Sequence, residues 1–104
     1  MAWTLLVIAG LFEIGWAIGL KFTQGFTRLW PSVGTVACMI ISLALLGAAM
    51  RTLPVGNAYA IWTGIGAVGT VVLGVVIFGD AVNPLRVTSV GFILVGILGL
   101  KLAS

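Results

Sequence analysis

Four apolar stretches of about twenty residues, divided by short polar links, take up nearly the whole chain. That length matches the hydrocarbon thickness of a bilayer crossed by one α-helix. The stretches run from about Ala2 to Leu20, Trp30 to Met50, Val55 to Phe78 and Leu85 to Leu102. Charged residues make up 7% of the 104, and hydrophobic ones 62%. A water-soluble domain carries about a quarter charged residues. The expected fold is therefore an all-α membrane protein of four transmembrane helices, one bundle spanning 1–104 with no second domain. Strands are excluded by physics: open sheet edges cannot be left in lipid, and four segments cannot close a barrel. So short a chain has little room to enclose a substrate path alone, so an oligomer is expected.

The links carry their own signals. Gln24-Gly25 marks a turn in the first, and Pro31 and Pro54 suit the opening turns of the second and third helices. Gly79 to Pro84 makes the last link. Trp3, Trp30 and Lys101 at segment ends read as interfacial anchors. The first segment has no positive residue before its apolar run, and Glu13 interrupts it, so it is expected to be retained rather than cleaved as a signal. The net charge of +3 comes from basic residues scattered singly at segment ends, which argues against a nucleic-acid surface. Histidine is absent and Cys38 is the lone cysteine, so a metal or disulfide framework within one chain is not expected, nor is a cofactor.

The distribution of those charges sets the topology. Four spans put the N-terminus, second link and C-terminus on one side, with Arg51 and Lys101; the first and third links carry Lys21, Arg28 and Arg86. Two against three gives almost no orienting bias. A chain without bias inserts both ways, and two oppositely inserted copies would reproduce the inverted symmetry that larger transporters encode as repeats.

Chemistry concentrates at Glu13. A carboxylate mid-span costs about 2.5–3.5 kcal/mol to insert, so it marks a functional site. A purely structural ion pair would need a basic residue mid-span on a neighbour, and the other segments offer none. Residues three and four apart share a helix face, which puts Ala9, Gly10, Glu13, Trp16 and Ala17 on one stripe: a charge, room beside it and a ring to stack on. In the second segment, Ser42 either bonds its own helix or faces inward and orients Glu13. In the third, Tyr59 and Trp62 share a face that would surround a cation held by Glu13. The glycines that follow, Gly64 and Gly66 among them, either permit close packing or supply a hinge. In the fourth, Ser89, Phe92, Gly96 and Gly99 form a face with small residues, expected to carry dimerisation.

These residues carry a resemblance. The central glutamate of the first span, GFTRLWPS from Gly25 to Ser32, and LP-x-G-x-AYA-x-W-x-G-x-G from Leu53 to Gly66 resemble the small multidrug resistance family of bacterial exporters. Within it, Glu13-Ile14-Gly15-Trp16-Ala17 and the ending Gly96 to Lys101 resemble the guanidinium-exporter subtype; the quaternary-ammonium subtype usually has a small residue at the Trp16 position. The resemblance implies an antiparallel, dual-topology homodimer in the bacterial inner membrane. It implies a shared site formed by Glu13, Gly10, Trp16, Ser42, Tyr59 and Trp62, and exchange of protons for a small cation without covalent chemistry. Guanidinium is planar and permanently charged, and its donor fork fits a carboxylate bidentately. A broad quaternary-ammonium exporter is the near alternative. A non-transporting membrane assembly factor is the distant one, and it would tolerate Glu13→Gln.

Overall fold

The computed structural model describes residues 2–103. It contains helices α1 (Ala2–Phe22), α2 (Leu29–Ala49), α3 (Val55–Phe78) and α4 (Pro84–Ala103), and no strand among the described residues. All four are long and apolar enough to cross a membrane. The first helix runs two residues further than its apolar pattern, because nothing in Lys21 or Phe22 breaks it. It stops where Gln24, Gly25 and Phe26 all take positive φ (49°, 74° and 65°). Buried Thr23 ties off that end: its hydroxyl donates to the Leu20 carbonyl at 2.7 Å and accepts the Phe26 N–H at 3.2 Å. The third helix ends on left-handed Gly79, with the Asp80 N–H returning to the Gly74 carbonyl. The fourth begins at Pro84, and the Asn83 side chain accepts the Arg86 N–H at 2.9 Å.

Helix α1 is the central element, packed on α2 and α3, while α4 packs mainly on α3. The contacts are made by small residues under large ones. A Cβ at Gly10 would strike Ile65, one at Gly69 would strike Ile14, and one at Gly15 would meet the Cys38 sulfur at 3.3 Å. Without a hydrophobic drive between helices in lipid, such close approach is what gives association its dispersion energy. Gly64 and Gly66 belong to the same pattern. They lie in an unbroken α-helix, Gly64 under Ile93 and Ile97 of α4 and Gly66 under Glu13, so both glycines are sites of close packing.

The buried apolar core consists of Leu6, Ala9, Leu46, Ala49, Ala58, Ile61 and Trp62. It fills the half of the bundle toward the second link. At the same end Lys101 lies over the Trp3 ring at 5.6 Å, and at the opposite end Lys21 lies over Phe78 at 4.3 Å. Trp30 is 77% exposed, as an interfacial anchor would be. Helix α4 has no buried residue, and nothing approaches Gly96 or Gly99 within 4 Å. Phe92 is exposed, and Ser89 satisfies its hydroxyl on the Leu85 carbonyl. The face expected to dimerise is therefore uncovered in the single chain.

Candidate functional site

Glu13 projects from α1 onto α3. Its carboxylate occupies the space that a side chain at Gly66 would need, with Oε1 2.6 Å from where a Cβ would sit. Oε2 is buried without a hydrogen-bond partner. One turn earlier Gly10 is buried under Ile65, and one turn later Trp16 is half-buried with its indole N–H unpartnered. The stripe read from the sequence is thus a real face, and glycine at both Gly10 and Gly66 lets α3 approach the acid.

Ser42 is completely buried, and its partners differ from both sequence expectations. The hydroxyl does not bond its own helix. It donates to the Ala9 carbonyl on α1 at 2.7 Å and accepts from the Trp62 indole nitrogen on α3 at 2.9 Å. One serine therefore pins three helices one turn before Glu13. Ser42 does not touch the carboxylate itself; it fixes the backbone that carries it. Trp62 is 6% exposed, and its ring meets Tyr59 in a tilted pair with centroids 5.7 Å apart. Tyr59 itself is 55% exposed in the single chain.

The structure thus brings together Glu13, Gly10, Ser42, Trp62 and Gly66, with Trp16 beside them and Tyr59 against Trp62. Gly66 entered the sequence reading only as a glycine for close packing or a hinge. Its place against the carboxylate depends on the α1–α3 register, which no local pattern records. The arrangement can present one unpaired carboxylate edge and indole surface to a small cation in a low-dielectric setting, where charge pairing and cation–π attraction are strongest. A separate groove of about 260 Å³, lined by Val71, Val75, Val90 and Arg86 among others, shares no residue with this site.

Comparison with known proteins agrees with this architecture. The profile of the family described as Small Multidrug Resistance protein matches residues 1–93. The chain is 59% identical to a guanidinium exporter of Citrobacter freundii over all 104 of its residues and 99% of that protein. It is 60% identical to a guanidinium exporter of Escherichia coli O6:H1, and 57% to one of Salmonella typhimurium strain LT2, over the same shares of both chains. A match over most of the chain, and relatives of nearly equal length at such identity, leave one conclusion: the chain belongs to the small multidrug resistance family and is a multi-pass transporter of the bacterial inner membrane, not an enzyme.

Proposed function

We propose that this chain is a proton-coupled exporter of guanidinium and small guanidinyl cations. It works as an antiparallel homodimer, each copy contributing one four-helix unit. The observation that carries the reading is the Glu13 carboxylate, held inside a span with one oxygen unpartnered and a glycine beside it. The names of the close relatives supply the substrate.

Glu13 holds the guanidinium fork, and Trp16 and Trp62 cover the plane. Tyr59, paired with Trp62 and exposed in the single chain, guards the entry. Ser42 holds Trp62 and α1 in place. A proton on Glu13 removes the charge that binds the cation, and a bound cation displaces the proton. This mutual exclusion couples the two flows through one carboxylate. The dimer rocks between two states that differ only in which subunit plays which role, so inside and outside exchange. The support for a dimer is the uncovered α4 face with Gly96, Gly99 and Phe92, and the near-equal charge of the two membrane sides.

The test is transport by the purified protein in liposomes under an imposed pH gradient. Guanidinium should accumulate, and tetraalkylammonium ions should compete poorly, because the two indoles leave a flat space. Preferential transport of tetraalkylammonium would instead make the chain a broad cation exporter, and transport of neither would support the assembly-factor alternative.

A further inference from the structure

Apart from the Thr23 hydroxyl that closes its end, the buried polar atoms of the described residues divide along α1. Toward the second link they are satisfied in the Ala9–Ser42–Trp62 node. Toward the first link they are not: Glu13 Oε2, Trp16 Nε1, Thr35 Oγ1 and Thr70 Oγ1 are all buried without a partner. The last two come from different helices that flank the same stretch of α1. The hydroxyl of Thr35 on α2 fills the space above Gly19. Thr70 on α3 lies one turn beyond Gly66, on the face that meets Glu13, and its neighbour Gly69 receives Ile14. Three helices therefore each place an unpartnered polar atom between the depth of Glu13 and that of Gly19. This stretch of α1 rises about 9 Å and ends within a turn of the first link.

An unmet polar group in the hydrocarbon region costs several kcal/mol, so a cluster of them on one side of the acid calls for a ligand. A second subunit cannot reach all of them: Thr35 is 2% exposed within one chain, covered by α1. Water is small enough, and it needs two to four polar partners, which this set offers.

We propose that Thr35 and Thr70, with the Trp16 N–H, hold a short water chain that carries the proton between Glu13 and the aqueous face at the first link. A threonine hydroxyl accepts a proton-bearing water on one side and donates on the other, so a proton entering from solvent leaves on the Glu13 carboxylate and the chain is restored. The indole donates only, and orients water. Cys38, facing Gly15, is the other titratable side chain along this stretch, and Lys21 and Arg28 stand at its aqueous end. The proposal rests on Glu13 being the site of proton exchange.

The test uses the full-length protein in liposomes and the Thr35→Val/Thr70→Val double variant, which keeps side-chain shape. Two rates are compared: guanidinium–guanidinium exchange without a pH gradient, which needs no proton on Glu13, and proton-driven guanidinium accumulation. Exchange should stay within about twofold of wild type, while proton-driven accumulation slows by about tenfold or more, the scale on which positioned proton transfer acts. Thr35→Ser/Thr70→Ser should restore it. A double valine variant with the wild-type accumulation rate overturns the proposal, as does one that slows both rates equally, which would assign the threonines to packing. Failure of the underlying reading looks different: the wild-type protein would then release no proton when guanidinium binds.

Discussion

Ser42 is the residue whose role is most sharply defined. It accepts from Trp62 and donates to Ala9, so Ser42→Ala orphans both an indole N–H and a route to α1. Leaving one buried donor unsatisfied costs about 1–3 kcal/mol. Interhelical bonds in lipid average lower, at about 0.6 kcal/mol, because the separated helices find other partners. The Ser42→Ala variant should therefore fold and insert but lose about 1 kcal/mol of stability. A double-mutant cycle with Trp62→Phe, read from denaturant unfolding in detergent, should show the two losses to be strongly non-additive, and additive losses would separate the residues. The sequence could mark Ser42 as polar within a span. It could not choose the partner, since a helical serine reaches its own carbonyls as easily as a neighbour's, and the α1–α2 register decides. The same limit applies to Tyr59. Its spacing to Trp62 was legible and the ring pair confirms that shared face, but its 55% exposure was not legible, because it depends on where α1 crosses.

At the level of elements, the spans were readable to within about two residues, since hydrocarbon thickness and the prolines fix them. The end of α1 shows the largest difference. Gln24 and Phe26 adopt positive φ beside Gly25, a conformation that only glycine advertises in sequence. Helix pairing was not readable, since glycine clusters serve packing and bending alike. The structure assigns Gly66 to the approach of α3 to the acid, which yields a prediction. Gly66→Ala puts a methyl where the Glu13 carboxylate lies. Overpacking of this kind costs about 1–3 kcal/mol. Here the side chain that must yield is the binding group, so guanidinium binding measured by calorimetry should weaken more than stability does. Gly34→Ala is the control, because nothing lies within 4 Å of a Cβ there. Equal, small effects of both substitutions would remove Gly66 from the site.

For the whole molecule, the decisive property is balance. Arg51 and Lys101 stand against Lys21, Arg28 and Arg86, so the flanking charges give almost no orienting bias. Reporters fused at the C-terminus should be found on both sides of the membrane in comparable amounts. Two lysines added to the third link should bias insertion, and transport should fall in cells that express only that variant, then recover when an oppositely biased variant is co-expressed. A single strong orientation of the native chain would contradict the antiparallel dimer. The uncovered apolar face of α4 gives the second handle: replacing Gly96 and Gly99 by leucine should shift the protein toward monomer in analytical ultracentrifugation and abolish transport.

The proposed coupling needs one carboxylate to serve proton and cation in turn, and the most direct measurement is guanidinium binding to the purified protein as a function of pH. In the proposed mechanism Glu13 binds the cation only when ionised, so affinity should be flat at high pH and fall as pH drops through the Glu13 titration. The fall should be about tenfold per pH unit for each proton displaced. Glu13→Gln should abolish both the binding and its pH dependence, while Glu13→Asp should retain both with altered strength. Asp80, the one other acidic side chain, is exposed in the last link, so Asp80→Asn should leave the profile unchanged. Affinity independent of pH in the native protein, or a Glu13→Gln protein that still accumulates guanidinium in response to a proton gradient, would contradict the central claim.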